Sequence, residues 1–359
     1  MKGNALVTGG TGLLGSWLIC ALLKSAKHKK VYAIVRALSN SIAQQRMDSL
    51  LKVIPHGLSS EKCSKLIVYK GDVSWPNLGL DLDMLEDVSD IFHIGAIADF
   101  NANLEEIRPT NVVGTRNVFE MARALNARQL DRPIRVHHIS TVAVAGNSEG
   151  WYGEDQFNVG QSFNNAYEQS KFEAEEIARE FCGNGMAVNI YRPAIITGDS
   201  NYGITTNFKM IYQPLHFLAY NLFRELPGNK DSLYSFVPVD KVSDAISLLS
   251  QRNSGDNVYH LVNPNEITLD FFIETASKIF KFKRPLLVPM SKFEKNRLSP
   301  TQWKLVDPFI PYFNYRLRFK SSQTNALLEN FGFHWPEIDE KLLKRLFDFC
   351  IQCKYITLK

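Results

Sequence analysis

A tyrosine and a lysine lie four positions apart in the stretch NAYEQSK, residues 165–171. The stretch FEAEEIAREF that follows is rich in good helix formers and contains no Gly or Pro, which predicts a helix. Residues four apart on a helix are neighbours, so Tyr167 and Lys171 would share one face. An ammonium beside a phenol favours the phenolate and lowers the phenol pKa. The spacing therefore predicts that Tyr167 donates a proton near neutral pH, although an ordinary surface helix can carry the same pair.

A glycine-rich stretch, TGGTGLLG, follows the first apolar run of the chain. Gly9, Gly12 and Gly15 recur at every third position between a predicted strand and a predicted helix. In a dinucleotide-binding turn the first glycine allows the tight turn, the second lets a pyrophosphate approach, and the third lets the helix pack closely. The helix N-terminus would face the phosphates. This context predicts a dinucleotide site.

The end of the second predicted strand, VRALSNS, bears on the choice of dinucleotide. Sites for NAD carry Asp or Glu about 20 residues after the glycine motif. Arg36 stands there instead, and a guanidinium suits the 2′-phosphate of NADP(H). Arg46, at the start of the next predicted helix, either supplies a second cation or is an ordinary surface residue. We therefore predict NADP(H) as the cofactor.

Short apolar runs alternate with helical patterns along most of the chain. The runs that read as buried strands are 4–8, 30–35, 65–69, 90–94, 134–139 and 187–191. This alternation predicts right-handed βαβ units and a parallel sheet that is covered on both faces. The predicted fold class is α/β, a Rossmann-type doubly wound parallel sheet with a smaller, mixed C-terminal substrate-binding lobe.

The alternation is lost near residue 200 and returns later. We expect an NADP-binding Rossmann domain over 1–199, to which 235–263 returns, and a substrate-binding lobe formed by 200–234 and 264–359. An acyl channel lined by apolar side chains is expected in this lobe. The candidate lining residues are Phe208, Tyr212, Leu215, Phe217, Tyr220, Phe293, Trp303 and Phe309. The terminal stretch 339–356 predicts an amphipathic helix that packs on the lobe or lies on a membrane surface.

Two pairs of polar or small residues follow predicted strands. Asp72 and Val73 come just after the third strand, where an adenine would lie across the sheet edge. Ser140 and Thr141 come at the carboxyl end of the fifth strand, where open α/β sheets place their ligands. A hydroxyl there and the Tyr/Lys pair on the following helix are therefore expected to meet at one point.

Taken together, the glycine motif, the STVAVAG stretch and the YxxxK spacing resemble the extended short-chain dehydrogenase/reductase family over essentially the whole chain. In that family the matching tyrosine, Tyr167, is the acid/base. The matching lysine, Lys171, lowers its pKa and holds the nicotinamide ribose, and Thr141 orients the substrate carbonyl. The residues that match cofactor-binding positions are Gly9, Gly10, Thr11, Gly12, Leu13, Leu14, Gly15, Arg36, Arg46, Asp72, Val73, Gly95, Ala96, Asn111, Tyr167, Lys171, Pro193, Ala194 and Ile196.

The stretches VYAIVRA, GDVSWPNLGL and YRPAIITGDSNYG resemble the thioester reductase branch, which is related to male sterility proteins and fatty acyl-CoA reductases. Two stretches depart from it: Ile94-Gly95-Ala96 stands in place of an Asn-Gly-Ala triplet, and DFN follows in place of a valine-bearing form. The sequence contains no recognisable adenylation or carrier segment, so we expect the acyl donor to be a separate carrier protein or coenzyme A.

The resemblance implies an NADPH-dependent reductase that converts an acyl thioester to an aldehyde or an alcohol. An NADPH-dependent ketone or aldehyde reductase of the extended type is the alternative. A nucleotide-sugar epimerase fits less well because Arg36 favours a dissociable NADPH. A non-catalytic NADP-binding regulator also fits less well, because such proteins typically lose the tyrosine or lysine that is retained here. The acyl chain, the product and the oligomeric state stay open at this point.

Composition narrows the other classes of function. The net charge of +4 arises from 41 basic and 37 acidic residues that are well mixed, so nucleic-acid binding is not expected. Five scattered cysteines suit free thiols in a reducing compartment, and no ligand spacing for a metal is present. His137 and His138 fall on a predicted core strand and are expected to be structural. Glycines interrupt the first apolar run, so neither a signal peptide nor a membrane span is predicted, and a cytoplasmic location is expected.

Overall fold

The computed structural model describes residues 3–55, 57–129, 132–252 and 257–358. In these ranges the strands are β1 (Asn4–Thr8), β2 (Val31–Val35), β3 (Leu66–Lys70), β4 (Val88–His93), β5 (Arg135–Ile139), β6 (Gly150–Tyr152), β7 (Ala187–Pro193), β8 (Ile195–Thr197), β9 (Glu225–Pro227), β10 (Leu233–Tyr234), β11 (Phe236–Pro238), β12 (Asn257–Leu261), β13 (Ile267–Thr268), β14 (Leu286–Val288) and β15 (Leu317–Phe319).

Helices connect most of these strands. The α-helices are α1 (Leu13–Ser25), α2 (Asn40–Val53), α3 (Ser60–Cys63), α4 (Leu104–Arg108), α5 (Gly114–Arg128), α6 (Ala166–Gly183), α7 (Tyr212–Ala219), α8 (Val239–Leu249), α9 (Leu269–Phe280), α10 (Pro300–Val306), α11 (Ile310–Phe313), α12 (Ser322–Glu329) and α13 (Glu340–Gln352). A π-helical turn covers Pro109–Val113, and 3-10 turns cover Pro76–Gly79, Leu82–Met84, Val142–Ala145, Met290–Lys292, Lys295–Arg297 and Asp307–Phe309.

The central sheet is parallel throughout, and within the described ranges it has seven strands in the order β12-β7-β5-β4-β1-β2-β3. The chain moves outward from β1 to β3 and then returns to β4 on the other side of β1. Ligands of open α/β sheets bind at such a reversal, outside the carboxyl ends of the strands. The predicted fold class is confirmed, and the six predicted strands form six of these seven, with β12 (Asn257–Leu261) as the seventh.

Both faces of the sheet are covered by helices, which explains why its strands read as continuous apolar runs. On one face α1, α2 and α8 contribute Leu18, Met47 and Ile246 to a buried cluster that continues into β1 and β2. On the other face α5 and α6 contribute Phe119 and Phe181. The two layers fix α1 and α6, the helices that carry the predicted cofactor and catalytic residues.

A second apolar cluster lies in the C-terminal part of the chain. It joins α7, α9, α10 and α13, and Leu343, Leu346 and Phe347 of α13 are fully buried in it. The terminal helix therefore packs on this region, as the first of its two predicted placements requires. Short two-stranded pairs, β8 with β11 and β6 with β15, connect the region to the edge of the central sheet. Throughout the portion of the chain that the structure describes, each helix is too short or too polar to cross a bilayer.

Candidate active site

The glycine loop between β1 and α1 has the geometry that a bound dinucleotide needs. Gly9 has φ +70°, and a Cβ there would lie 2.7 Å from the Cα of Gly95. A Cβ on Gly15 would overlap the carbonyl oxygen of Gly9, so this glycine permits the close approach of α1. Gly12 is the N-cap of α1 and no side chain caps the helix, so the amides of its first turn stay available to an anion. These residues fit a pyrophosphate.

A chain of hydrogen bonds holds the glycine loop against the loop after β4. The Thr8 hydroxyl lies 2.8 Å from Nδ1 of His93 and accepts from the amides of Ile94 and Gly95 at 3.2 and 3.3 Å. Nε2 of His93 lies 2.9 Å from the hydroxyl of Thr115, which donates to the carbonyl oxygen of Asn111 in the preceding π-helical turn. Burial lowers the pKa of His93 to about 3, so the imidazole is neutral. The predicted cofactor residues Gly95 and Ala96 are thereby positioned beside Gly9.

The two predicted arginines lie together at the end of β2. Arg36 is exposed, and a guanidinium nitrogen of Arg46 donates a hydrogen bond to its backbone carbonyl oxygen. The hydroxyl of Ser39 caps α2 by accepting from the amide of Ile42, which sets the start of the helix that carries Arg46. The sequence left Arg46 between two interpretations, and its hydrogen bond brings its guanidinium to the backbone of Arg36 at the end of β2.

The other predicted cofactor residues have structural contacts as well. The Asp72 carboxylate accepts from the amide and hydroxyl of Ser74 at 2.9 and 2.8 Å, which shapes the turn after β3. The side chain of Val73 fills the space beside Gly95. Asn111 accepts from the amide of Ile97 at 2.7 Å and donates to Ser170 at 2.9 Å, so it ties the loop after β4 to α6.

Thr141, Tyr167 and Lys171 line one cavity of about 290 Å³ at the carboxyl end of the sheet. Thr141 follows β5, where its hydroxyl accepts from the amide of Ala143 at 3.2 Å and faces the same cavity as Tyr167. The ammonium of Lys171 donates to the carbonyl oxygen of Ile139 at 2.7 Å. The structure thus brings the three predicted catalytic side chains together. The predicted cofactor residues that share this cavity are Leu13, Leu14, Ala96, Pro193, Ala194 and Ile196.

The protonation of this trio differs from the sequence prediction. Burial raises the pKa of Tyr167 to about 12, although the Thr141 side chain favours the phenolate. Burial also lowers the pKa of Lys171 to about 8, although the charge of Glu175 favours the ammonium. The prediction that Lys171 makes Tyr167 acidic near neutral pH is wrong for this structure. The ammonium is bonded to Ile139, and removing the phenol from water outweighs a cation that does not touch it.

The outer half of the cavity is apolar and comes from segments that are distant in sequence. Only Tyr212 and Phe309 of the eight predicted channel residues line it. Phe208, Phe217 and Trp303 instead pack against the C-terminal apolar cluster, so their assignment to the channel is wrong. Compact cores and channels use the same aromatic residues, and the sequence alone does not separate them. The remaining aromatic lining residues are Phe100, Tyr234, Phe236, Phe272, Tyr312, Phe313, Tyr315 and Phe319.

Phe100 and Tyr312 form a wall of the cavity beside Tyr167, and neither residue was predicted from the sequence. The ring of Phe100 stacks on Tyr312 with centroids 4.9 Å apart and lies 5.9 Å from the ring of Tyr167. The Tyr312 hydroxyl donates to the buried carboxyl of Glu168 at 2.6 Å and accepts from Asn165 at 2.7 Å. The atypical DFN stretch that contains Phe100 was the one sequence signal for this wall.

The histidines and cysteines do not form a second reactive centre in the described ranges. His137 lies 3.1 Å from the Asp90 carboxylate, and His138 is fully buried beside Phe119, as expected for structural residues. Cys350 is buried on α13 and Cys353 follows that helix. Among the residues that the structure describes, His, Cys, Asp and Glu side chains nowhere gather in a group of three or more suited to a metal ion.

The chain is similar to several known proteins. A family model described as male sterility protein matches residues 7–246. The non-canonical nonribosomal peptide synthetase FrzA of Cladobotryum sp. is 24% identical over 381 residues, which cover 97% of this chain and 36% of the synthetase. The chain thus spans about a third of the length of this curated relative.

Two solved structures are similar along the whole chain. The terminal R domain of the myxalamid PKS-NRPS pathway is 25% identical with a TM-score of 0.83, and the match covers 99% of this chain and 92% of that one. A thiolation-reductase di-domain of an archaeal non-ribosomal peptide synthetase has a TM-score of 0.79 at 22% identity, covering 99% of this chain and 76% of that one. The fold is similar to that of these reductase domains, and the family model over residues 7–246 shows that the chain belongs to the male sterility protein family.

Proposed function

We propose that this protein is an NADPH-dependent reductase of acyl thioesters. The observation that carries the proposal is the convergence of Thr141, Tyr167 and Lys171 on one cavity. One end of that cavity adjoins the glycine loop and the other end is an apolar chamber. Such a cavity suits a nicotinamide on the inner side and the acyl part of a substrate on the outer side.

The chain's own residues supply orientation and a proton. Hydrogen bonds from Thr141 and Tyr167 would hold the substrate carbonyl oxygen and stabilise the negative charge that develops on it. With a pKa of about 12, Tyr167 is protonated at neutral pH and can donate its proton to that oxygen. Lys171 is held in the same cavity by the carbonyl oxygen of Ile139, where it would bind the nicotinamide ribose. NADPH, when bound, supplies the hydride.

The preference for NADPH is supported by the corner at the end of β2. Arg36 and Arg46 present two guanidinium groups there, and the acidic residue that would accept the ribose hydroxyls of NAD is absent from that position. A guanidinium forms charge-assisted hydrogen bonds with phosphate, so both arginines would bind the 2′-phosphate.

The acyl thioester is supported by the family and by the chamber. The solved relative that joins a thiolation domain to a reductase domain suggests a carrier protein as donor, and coenzyme A offers the same thioester. The chamber walls are largely aromatic and aliphatic, which favours an apolar acyl group. Release of the thiol after reduction gives an aldehyde, and a second reduction gives an alcohol.

The proposal is tested by a panel of acyl-CoA, acyl-carrier protein and ketone substrates with the wild-type protein. NADPH oxidation is followed and the products are identified by mass spectrometry, with Tyr167→Phe as the inactive reference. Turnover of a thioester with release of free thiol supports the proposal. Turnover of ketones or aldehydes, with no turnover of any thioester, would instead support a ketone or aldehyde reductase. The absence of NADPH oxidation with every substrate would contradict both functions.

A further inference from the structure

A buried ion pair lies directly behind the catalytic trio. Glu175 of α6 and Arg192 of β7 are both fully buried. Nε and Nη2 of Arg192 donate to the two carboxylate oxygens of Glu175 at 3.0 and 2.6 Å, and Arg179 of the same helix donates to Oε1 as well. Burial disfavours ionisation of Glu175, but the guanidinium of Arg192 outweighs it and lowers the pKa of the carboxyl. Glu175 is therefore a carboxylate at neutral pH.

The carboxylate connects α6 to the residue that directly follows β5. The Ser140 hydroxyl donates to Oε2 of Glu175 at 2.7 Å. Lys171, one helical turn earlier, donates to Ile139 at 2.7 Å. Two consecutive residues at the end of β5 are thus bonded to two consecutive turns of α6, immediately before Thr141. The side chains of Thr141 and Tyr167 keep their separation only if these two elements stay in register.

Arg192 extends this connection to the loop that precedes α6. Its Nη1 donates to the carbonyl oxygen of Gln156 at 2.9 Å and lies 3.1 Å from Nε2 of His260. The guanidinium also lies over the ring of Tyr152, with its Cζ atom 5.5 Å from the ring centroid. One buried cation therefore joins β7, α6 and the loop that leads to Tyr167.

We propose that Glu175, fixed by Arg192, is a positioning residue that aligns Thr141 with Tyr167 through its hydrogen bond with Ser140. The inference rests on the proposed function to the extent that the trio is the reacting group. Lys171 interacts electrostatically with three charged or titratable side chains: Glu175 on its own helix, His93 on β4 and His138 on β5. Both histidines are fully buried and neutral, so Glu175 supplies the negative charge that favours the ammonium.

Three variants and a control test the proposal. Ser140→Ala removes the hydrogen bond between Ser140 and Glu175 without leaving a charge unpaired. Glu175→Gln, in contrast, leaves Arg192 buried without its counter-ion and can fail to fold. Glu175→Gln/Arg192→Met removes both charges and covers that case. Glu176→Gln is the matched control, because Glu176 is an exposed glutamate on the same helix. Thermal unfolding, kcat, KM and the pH dependence of kcat/KM are measured for each.

We expect Ser140→Ala to lower kcat by about 10- to 100-fold, with a KM for the acyl substrate within about twofold of wild type. The Glu175 variants should move the alkaline limb of kcat/KM to lower pH, because Lys171 loses the charge that favours its ammonium. Glu176→Gln should match the wild type. Wild-type kcat and an unmoved alkaline limb in the folded Ser140→Ala and Glu175 variants would overturn the inference. If Tyr167→Phe also keeps wild-type turnover, the proposed function fails; if that variant is inactive, only the positioning role fails.

Discussion

The ammonium of Lys171 lies 2.7 Å from the carbonyl oxygen of Ile139, so α6 is bonded to the end of β5 by a group that titrates. Burial lowers the pKa of Lys171 to about 8. The lysine is therefore cationic below about pH 8 and becomes neutral above it. Since kcat/KM reports the ionisation of the free enzyme, we expect kcat/KM to fall as the pH rises through about 8. The Lys171→Arg variant stays charged, so the pH profile of its residual activity should lack this alkaline decline. A decline at the same pH would show that another group causes it.

Tyr167→Phe should abolish turnover and leave NADPH affinity within a few-fold of wild type, since only the proton-donating hydroxyl is removed. Lys171→Ala should lower both the turnover and the NADPH affinity, because the lysine is expected to contact the nicotinamide ribose. Cofactor affinity is measured by fluorescence titration and turnover by NADPH oxidation under saturating substrate. A Tyr167→Phe variant with most of its activity would refute the catalytic assignment.

Arg36→Ala should weaken NADPH binding by about 1–3 kcal/mol and leave NADH binding almost unchanged, because the lost contact is to a phosphate that NADH lacks. Arg46→Ala should have a smaller effect in the same direction, since one of its nitrogens already donates to Arg36. Lys52→Ala is the control, an exposed cation in the last turn of the same helix. Equal affinity of the wild type for NADPH and NADH would rule out the NADP assignment.

Phe100→Leu should change the acyl preference of the enzyme toward bulkier groups, because the wall beside Tyr167 recedes. NADPH affinity should be unchanged. Phe217→Leu is the matched control: it is the same substitution at a half-buried residue that packs against the C-terminal cluster outside the cavity. Competition between acyl thioesters of different width measures the preference as a ratio of kcat/KM values. Equal ratios in both variants would place the acyl group elsewhere.

Buried histidines make the fold sensitive to acid. Burial lowers the pKa of His93 and His260 to about 3 and of His137 to about 4, and that of His138 falls well below its ordinary value of 6.5. Below about pH 6.5 the unfolded chain binds protons that the native state does not. Stability should therefore fall as the pH drops from 6.5 toward 4, by up to about 1.4 kcal/mol per pH unit for each histidine.

His138 offers the cleanest test of this acid sensitivity, because neither of its buried ring nitrogens has a hydrogen-bond partner in the structure. His138→Leu should make the loss of stability less steep and cost little at pH 7. Urea unfolding between pH 4.5 and 7.5 measures the slope, with the exposed His334→Gln as control. A slope equal to that of the wild type would mean that His138 is protonated in the folded state.

Features that depend on local sequence were predictable. Inner strands such as β1 and β2 were read from apolar runs because both of their sides are buried. The glycine loop was read because Gly9 and Gly15 leave no room for a side chain. The pairing of Glu175 with Arg192 spans 17 residues and that of Tyr312 with Glu168 spans 144, and neither carries a periodic signal. The pKa of Tyr167 also depends on burial, which spacing does not report.

The hydrogen bonds from Tyr312 to Glu168 and from Asn165 to Tyr312 have a practical consequence for protein engineering. They join the chamber wall to the first turn of the helix that carries the proton donor. A chimera that imports residues 264–358 from a relative to change acyl preference would therefore disturb the proton donor unless Asn165, Glu168 and Tyr312 were inherited as one set. Chimeras of this protein should therefore take α6 and α11 from the same parent.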